Sequence, residues 1–224
     1  MKNAQTKLLV EFIGTCIFFF IGAGAIIANQ FSQGAVGLIG IALAHGLILS
    51  IMVSTFGGIS GGHFNPAVTF GVMLAKRISV PLGIQYVIAQ LLGGVAAGIL
   101  LHVVFPPDAC LASHLGTPSV AAGVSFGTAV LLEAILTFFL VIAVFGTAID
   151  PRAPKIGGFG IGLTVMVDIL VGGPLTGAAM NPARAFGPAL VAGFWDNHFV
   201  YWIGPLVGGG IAGIVYEHFI MGKE

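Results

Sequence analysis

Charge is what this sequence lacks. Only 7% of its 224 residues are Asp, Glu, Lys or Arg, against about 25% in soluble domains. That is too little to cover a water-facing surface, and the eight basic and eight acidic residues cancel. A soluble globular enzyme, a coiled coil, a disordered tail and a basic nucleic-acid binder are all disfavoured. Cysteine is equally sparse, and Cys16 and Cys110 form no metal or redox spacing. What is present is 57% hydrophobic residues and 35 glycines. This is the composition of an all-α integral membrane protein whose helices pack backbone to backbone.

A membrane-crossing helix needs about 20 mostly apolar residues. Six stretches meet or approach that length: 8–28, 35–55, 82–104, 124–148, 156–171 and 198–219. Two further apolar stretches, 66–76 and 182–192, are too short to cross, and each begins at a proline. The first stretch has no convincing small-residue cleavage site, so it reads as a retained helix rather than a signal peptide. Lys2, Lys7, Lys76, Arg77, Arg152, Lys155 and Lys223 all fall on one side of a six-span arrangement, while 29–34 and 105–123 contain no Lys or Arg. The positive-inside rule then places both termini in the cytoplasm. A bacterial inner membrane and a plant-type vacuolar membrane both fit this pattern. The eighth positive charge, Arg184, lies inside a short apolar segment and needs its own explanation.

The chain repeats itself. Glu11-Phe12-Ile13-Gly14-Thr15 returns as Glu133-Ala134-Ile135-Leu136-Thr137, and Asn65-Pro66-Ala67 returns as Asn181-Pro182-Ala183. Tyr86 to Gly94 returns as Tyr201 to Gly209. Residues 1–224 thus read as one channel-like domain of two repeats, 1–105 and 124–219. Each repeat holds three spans and one short segment. Three is odd, so the second repeat enters the membrane from the opposite side, and sites are expected where the two meet near the midplane.

Proline suits the first position of a helix and asparagine caps it, so Asn-Pro-Ala is a helix start. The runs before it, Gly57 to Gly62 and Gly172 to Gly177, look too glycine-rich to be helical. Two re-entrant half-helices are expected, one from each face, meeting at their N-termini. Each end carries roughly half a positive charge. Together they would repel cations, while the Asn65 and Asn181 amides donate hydrogen bonds to a passing molecule. Backbone carbonyls of Gly61, Gly62, His63 and Phe64, and of Gly177, Ala179 and Met180, would line its path. Glu11 and Glu133 are read as acceptors for the unpaired amides of the two loops; a proton relay is the alternative.

GGHFNPAVTF at 61–70 and MNPARAFGPAL at 180–190 resemble the paired motifs of the aquaporin (major intrinsic protein) family, over nearly the whole chain. NHFVYWIGPLVGGGIAGIVYE at 197–217 is similar to tonoplast intrinsic proteins and their bacterial relatives in particular. The resemblance implies an aquaporin-like six-helix bundle, a homotetramer with one pore per subunit, and a passive path for water that excludes protons and ions. It also implies an outer selectivity filter of His45, Ile169, Ala178 and Arg184. Strict water channels commonly carry Phe and His where His45 and Ile169 stand, so a wider, less polar constriction is implied, with ammonia, urea or hydrogen peroxide as further solutes. A glycerol or small neutral solute facilitator is the alternative, although Ala185 stands where glycerol channels commonly have Asp. No cofactor or metal is expected, and nucleic acid is not a partner.

Gly58-Ile59-Ser60-Gly61-Gly62 matches the G-x-S-x-G pattern of serine hydrolases, but its repeat counterpart lacks a matching serine and no oriented base is evident. A coupled transporter shares inverted repeats but needs a titratable group at the midplane. Asp168 either binds loop donors or lines the outer vestibule. His63 is expected to orient the first loop, and His102, His114, His198 and His218 to be interfacial. Asp150 and Arg152 read as a solvated turn, with a part in gating as the alternative.

Overall fold

A computed structural model describes residues 4–222. Lys2 and Lys223, two of the seven same-side charges, lie outside the described residues. Among the described residues the chain is helical without strands. Its elements are α1 (Ala4–Phe31), α2 (Gly37–Ser60), α3 (Pro66–Leu74), α4 (Val80–Val104), α5 (Pro107–Ala112), α6 (Phe126–Val144), α7 (Phe159–Thr176), α8 (Pro182–Ala192) and α9 (Val200–Val215). Helices α6 and α9 each continue into a wider π turn, Phe145–Ile149 and Tyr216–Ile220. With those turns, six helices are long and apolar enough to cross a membrane: α1, α2, α4, α6, α7 and α9.

The two half-helices start where the sequence says. Asn65 caps α3, its side-chain oxygen accepting from Ala67 N at 2.8 Å; Asn181 caps α8, accepting from Ala183 N at 3.0 Å. Pro66 and Pro182 occupy the first turn, where no donor is lost.

The glycine runs are a correction. Helix α2 continues through Gly57 and Gly58 to Ser60, and α7 through Gly172, Gly173 and Pro174 to Thr176. Both are therefore longer than the expected 35–55 and 156–171. Glycine in a helix costs about 1 kcal/mol in water, but an unpaired backbone amide in hydrocarbon costs several, so the helix runs on. It stops one residue later, at Gly61 (φ 98°) and Gly177 (φ 82°), in left-handed backbone that glycine adopts freely. Both ends are sealed alike: Tyr86 Oη donates to Ser60 O and Tyr201 Oη to Thr176 O, each at 2.8 Å.

Packing runs both within and between the two sequence halves. Within a half, α1 packs on α2 and α4, and α6 on α7 and α9; between halves, α2 packs on α7, half-helix α3 lies on α9 and α8 on α4. Bare backbone makes these crossings close. A Cβ on Gly71 would stand 2.5 Å from Gly209 O, and one on Gly94 2.7 Å from Ala183 O. Gly187 faces the Gly94 backbone so closely that no side chain fits between. The glycine excess is thus spent largely at helix crossings, as in other membrane bundles.

Candidate permeation site

Each short loop hangs from one carboxylate. Glu11, fully buried on α1, accepts from Ser60 Oγ (2.6 Å), His63 N (3.0 Å), Phe64 N (2.7 Å) and Gln90 Nε2 (2.8 Å). Glu133, fully buried on α6, accepts from Thr176 Oγ1 (2.7 Å), Ala179 N (2.9 Å) and Met180 N (2.7 Å). Thr176 is therefore the counterpart of Ser60: the second repeat has no matching serine but carries a hydroxyl in the same place. Gly62 N also donates to Ser60 Oγ, and Ala178 N to Thr176 Oγ1. The Ser60 proton is committed to Glu11, so Ser60 is a structural hydroxyl and not a poised nucleophile.

These donors fix where the carbonyls point. All peptides among the described residues are trans, and in a trans peptide the C=O points opposite to the N–H of the following residue. The amides of 62, 63 and 64 turn toward Ser60 and Glu11, so the carbonyls of Gly61, Gly62 and His63 turn away from them. The amides of 178, 179 and 180 do the same for Gly177, Ala178 and Ala179. Left-handed Phe64, Ala178 and Met180 (φ 46°, 44° and 50°) complete this unusual backbone. Such conformations cost about 1–3 kcal/mol each and persist only where the surroundings enforce them. The Phe64 and Met180 carbonyls are engaged otherwise: Asn181 Nδ2 donates to Phe64 O (3.0 Å) and Asn65 Nδ2 to Met180 O (2.8 Å). This reciprocal pair bolts one half-helix N-terminus to the other.

One enclosed lumen passes this junction. It is lined by Asn65, Asn181, Gly62, His63, Ala178, Ala179, Met180, His45, Ile169 and Arg184, with an apolar wall of Phe18, Leu49, Val68, Leu140, Val144, Ile161 and Val165. The space open to the centres of water molecules is only about 20 Å³, where a single water needs roughly 10–15 Å³. All four residues of the implied filter share this lumen. Arg184 is buried, and its Nη1 donates to Gly116 O at 2.9 Å. Gly116 closes a left-handed turn, His114–Leu115–Gly116 (φ 46°, 57° and 71°). His45 Nδ1 lies 2.8 Å from Ile41 O; a carbonyl only accepts, so Nδ1 carries the proton and Nε2 of the neutral ring offers a lone pair.

Asp168 is buried beside Ile169 but does not line this lumen, and its Oδ2, like Thr15 Oγ1, has no hydrogen-bond partner among the described residues. His63 lies in the first loop with Nδ1 3.1 Å from Thr69 Oγ1, and His198 accepts from Trp202 Nε1. Sequence reading missed Gln90, Thr69, Thr176 and the tyrosine pair. The Tyr86/Tyr201 match within the repeat was the available signal for the last.

A vestibule of about 890 Å³ opens at the other end, with Lys7, Arg77 and Lys155 round its rim. Beside it the 150–152 turn is tethered rather than merely solvated. Arg152 Nη2 meets Asp150 Oδ2 at 2.6 Å and also Ile220 O, and Tyr216 Oη donates to Asp150 Oδ2 at 3.2 Å. Arg77 forms a two-pronged pair with Glu217. Hydrogen bonds from Arg152 hold the Asp150 carboxyl well below the usual carboxylate range. A depressed carboxyl stabilises the fold above its ordinary unfolded value, near 4, and that contribution fades only as pH falls toward the folded value. The tether is thus expected to survive from pH 7 to 5. Asp150→Asn, by contrast, should speed limited proteolysis within 150–156 severalfold at pH 7. Equal cleavage rates would refute the tether.

The model of the family described as "Major intrinsic protein" matches residues 1–216. A probable TIP-type aquaporin of Medicago truncatula is 48% identical over 93% of this chain and 84% of that protein. Aquaporin TIP4-4 of Zea mays is 46% identical over 96% and 87%. In fold, the aquaglyceroporin from Plasmodium falciparum superposes with a TM-score of 0.85 at 22% identity, covering 97% of each chain. With its capped half-helices crossing one lumen, this chain belongs to the major intrinsic protein family, the aquaporins.

Proposed function

We propose that the chain conducts water passively, in single file, through the lumen between the two Asn-Pro-Ala half-helices, and that it is a channel rather than an enzyme. The observation that carries this is the reciprocal bolt of Asn65 and Asn181, which aims two electropositive helix ends at one narrow lumen. Water accepts from the Asn amides and donates to the carbonyls of Gly61, Gly62, His63, Gly177, Ala178 and Ala179. Phe64 and Met180 have one remaining lone pair each. The opposite apolar wall offers no partner, so a water moves on without being trapped. The two helix ends and the Arg184 guanidinium oppose any cation, protons included.

His45, Ile169, Ala178 and Arg184 form the selectivity filter in this reading, and Glu11 and Glu133 hold the loops. Residues 1–105 and 124–219 act as inverted repeats of one channel domain. Lys7, Arg77 and Lys155 round one vestibule support termini on the cytoplasmic face, and the exposed apolar helices suit lipid and a homotetramer. Ammonia, urea or hydrogen peroxide follow water, and glycerol is the alternative solute.

Stopped-flow light scattering on proteoliposomes, comparing water, glycerol, urea and ammonia, tests the reading. Water flux no faster than in empty vesicles would overturn it. His45→Phe is expected to narrow the entrance and lower urea or ammonia flux more than water flux, by about tenfold if the added steric barrier is about 1.4 kcal/mol. Equal loss of all solutes would remove His45 from the filter.

A further inference from the structure

Helix α1 lays two small residues against the polar walls of the constriction, and neither touches the lumen. A Cβ on Gly22 would stand 2.6 Å from both Cδ2 and Nε2 of His45. One residue on is Ala23, fully buried. A Cβ on Gly116 would lie 2.8 Å from its carbonyl oxygen and 2.9 Å from its Cβ. Gly116 is the residue whose carbonyl holds Arg184. One turn before Gly22, Phe18 meets the His45 ring edge-on with centroids 6.3 Å apart. The imidazole therefore sits over a notch in α1, and Nδ1 is tied to its own helix through Ile41 O at 2.8 Å.

We propose that Gly22 is a specificity-determining position of this channel, setting the aperture by where it lets the His45 ring rest. The inference depends on the channel reading and on His45 walling the constriction. A methyl group at position 22 needs about 3.5–4.0 Å from the ring carbons and has 2.6 Å, so the ring must move by roughly 1 Å. The Ile41 tether and Phe18 restrict motion along the helix, which leaves the lumen side, toward Ile169 and Arg184. Because so little open space remains beside His45, a shift of that size excludes a solute wider than water first. Gly22 is thus a positioning residue acting through His45.

The test uses the full chain in proteoliposomes, with formamide as a neutral probe between water and urea in size. Gly22→Ala is expected to lower the formamide-to-water flux ratio about tenfold. In a His45→Ala background, with no ring to displace, the same substitution should leave the ratio unchanged. Gly24→Ala is the control, since its Cβ would meet Leu101 Cδ2 at 3.2 Å, away from His45; it should not alter the ratio. An unchanged ratio in Gly22→Ala, or an equal fall with and without His45, would overturn the inference. If Gly22→Ala does not reach the membrane, recovery of the double variant with His45→Ala supports the contact, and failure to recover counts against it. Absence of water flux in the unmodified chain would sink the channel reading instead, so the two failures are distinct.

Discussion

Arg184→Val should let urea and protons through while leaving water flux within about a factor of two. The guanidinium supplies a full positive charge in the lumen wall, while the two half-helix ends supply about half a charge each. Arg184 therefore provides about half of the fixed positive charge there. At an effective dielectric of about 20 and roughly 8 Å, one unit charge opposes another by about 2 kcal/mol, a factor of about thirty in leak. Valine also shortens the side chain and empties the space it filled, which admits wider solutes. Gly116 O loses its donor, so the left-handed turn at 114–116 should loosen as well. Proteoliposomes carrying an entrapped pH-sensitive dye report the proton leak, and light scattering the urea flux. Unchanged values for both would mean that the helix ends alone exclude cations and that Arg184 has been given the wrong role.

How far the sequence carries depends on the range of each interaction. The half-helix starts were legible because their bonds are local: Asn65 accepts from Ala67 and Asn181 from Ala183, two residues on. Glu11 and Glu133 could be placed beside the loops because the repeat puts them at matching positions, although 52 residues separate Glu11 from His63. The ends of α2 and α7 were misread because glycine propensities describe helices in water, and here the alternative to a helical hydrogen bond is no hydrogen bond. Thr176 was missed because its chemistry, a hydroxyl at the last helical position, matches Ser60 while its name does not. Gln90 has no echo at all: the matching position is Pro205, so the first carboxylate gains a side-chain donor that the second lacks. The Arg184–Gly116 bond joins residues 68 apart, and Gly116 lies in a connection without periodicity, so only the folded chain brings them together.

The extra donor on Glu11 makes its loop the more sensitive of the two to loss of the carboxylate. Glu133→Ala strands three buried donors, Thr176 Oγ1, Ala179 N and Met180 N; Glu11→Ala strands four. Each orphaned donor costs about 1–3 kcal/mol, so either change removes several kcal/mol from a fold whose total stability is of order 5–15 kcal/mol. Neither alanine variant should survive detergent extraction as folded protein. Glutamine separates the two sites. In Glu133 a single oxygen, Oε1, serves Thr176 and Ala179, so Glu133→Gln can keep both and sets its amide against one donor, Met180 N. In Glu11 the second oxygen serves both Phe64 N and Gln90 Nε2, so Glu11→Gln sets its amide against two. Thermal unfolding in detergent should therefore rank Glu11→Gln below Glu133→Gln, and both above the alanine variants. If the glutamine variants unfold like the unmodified chain and only their proton permeability changes, the carboxylates are a proton relay and not the supports from which the two loops hang.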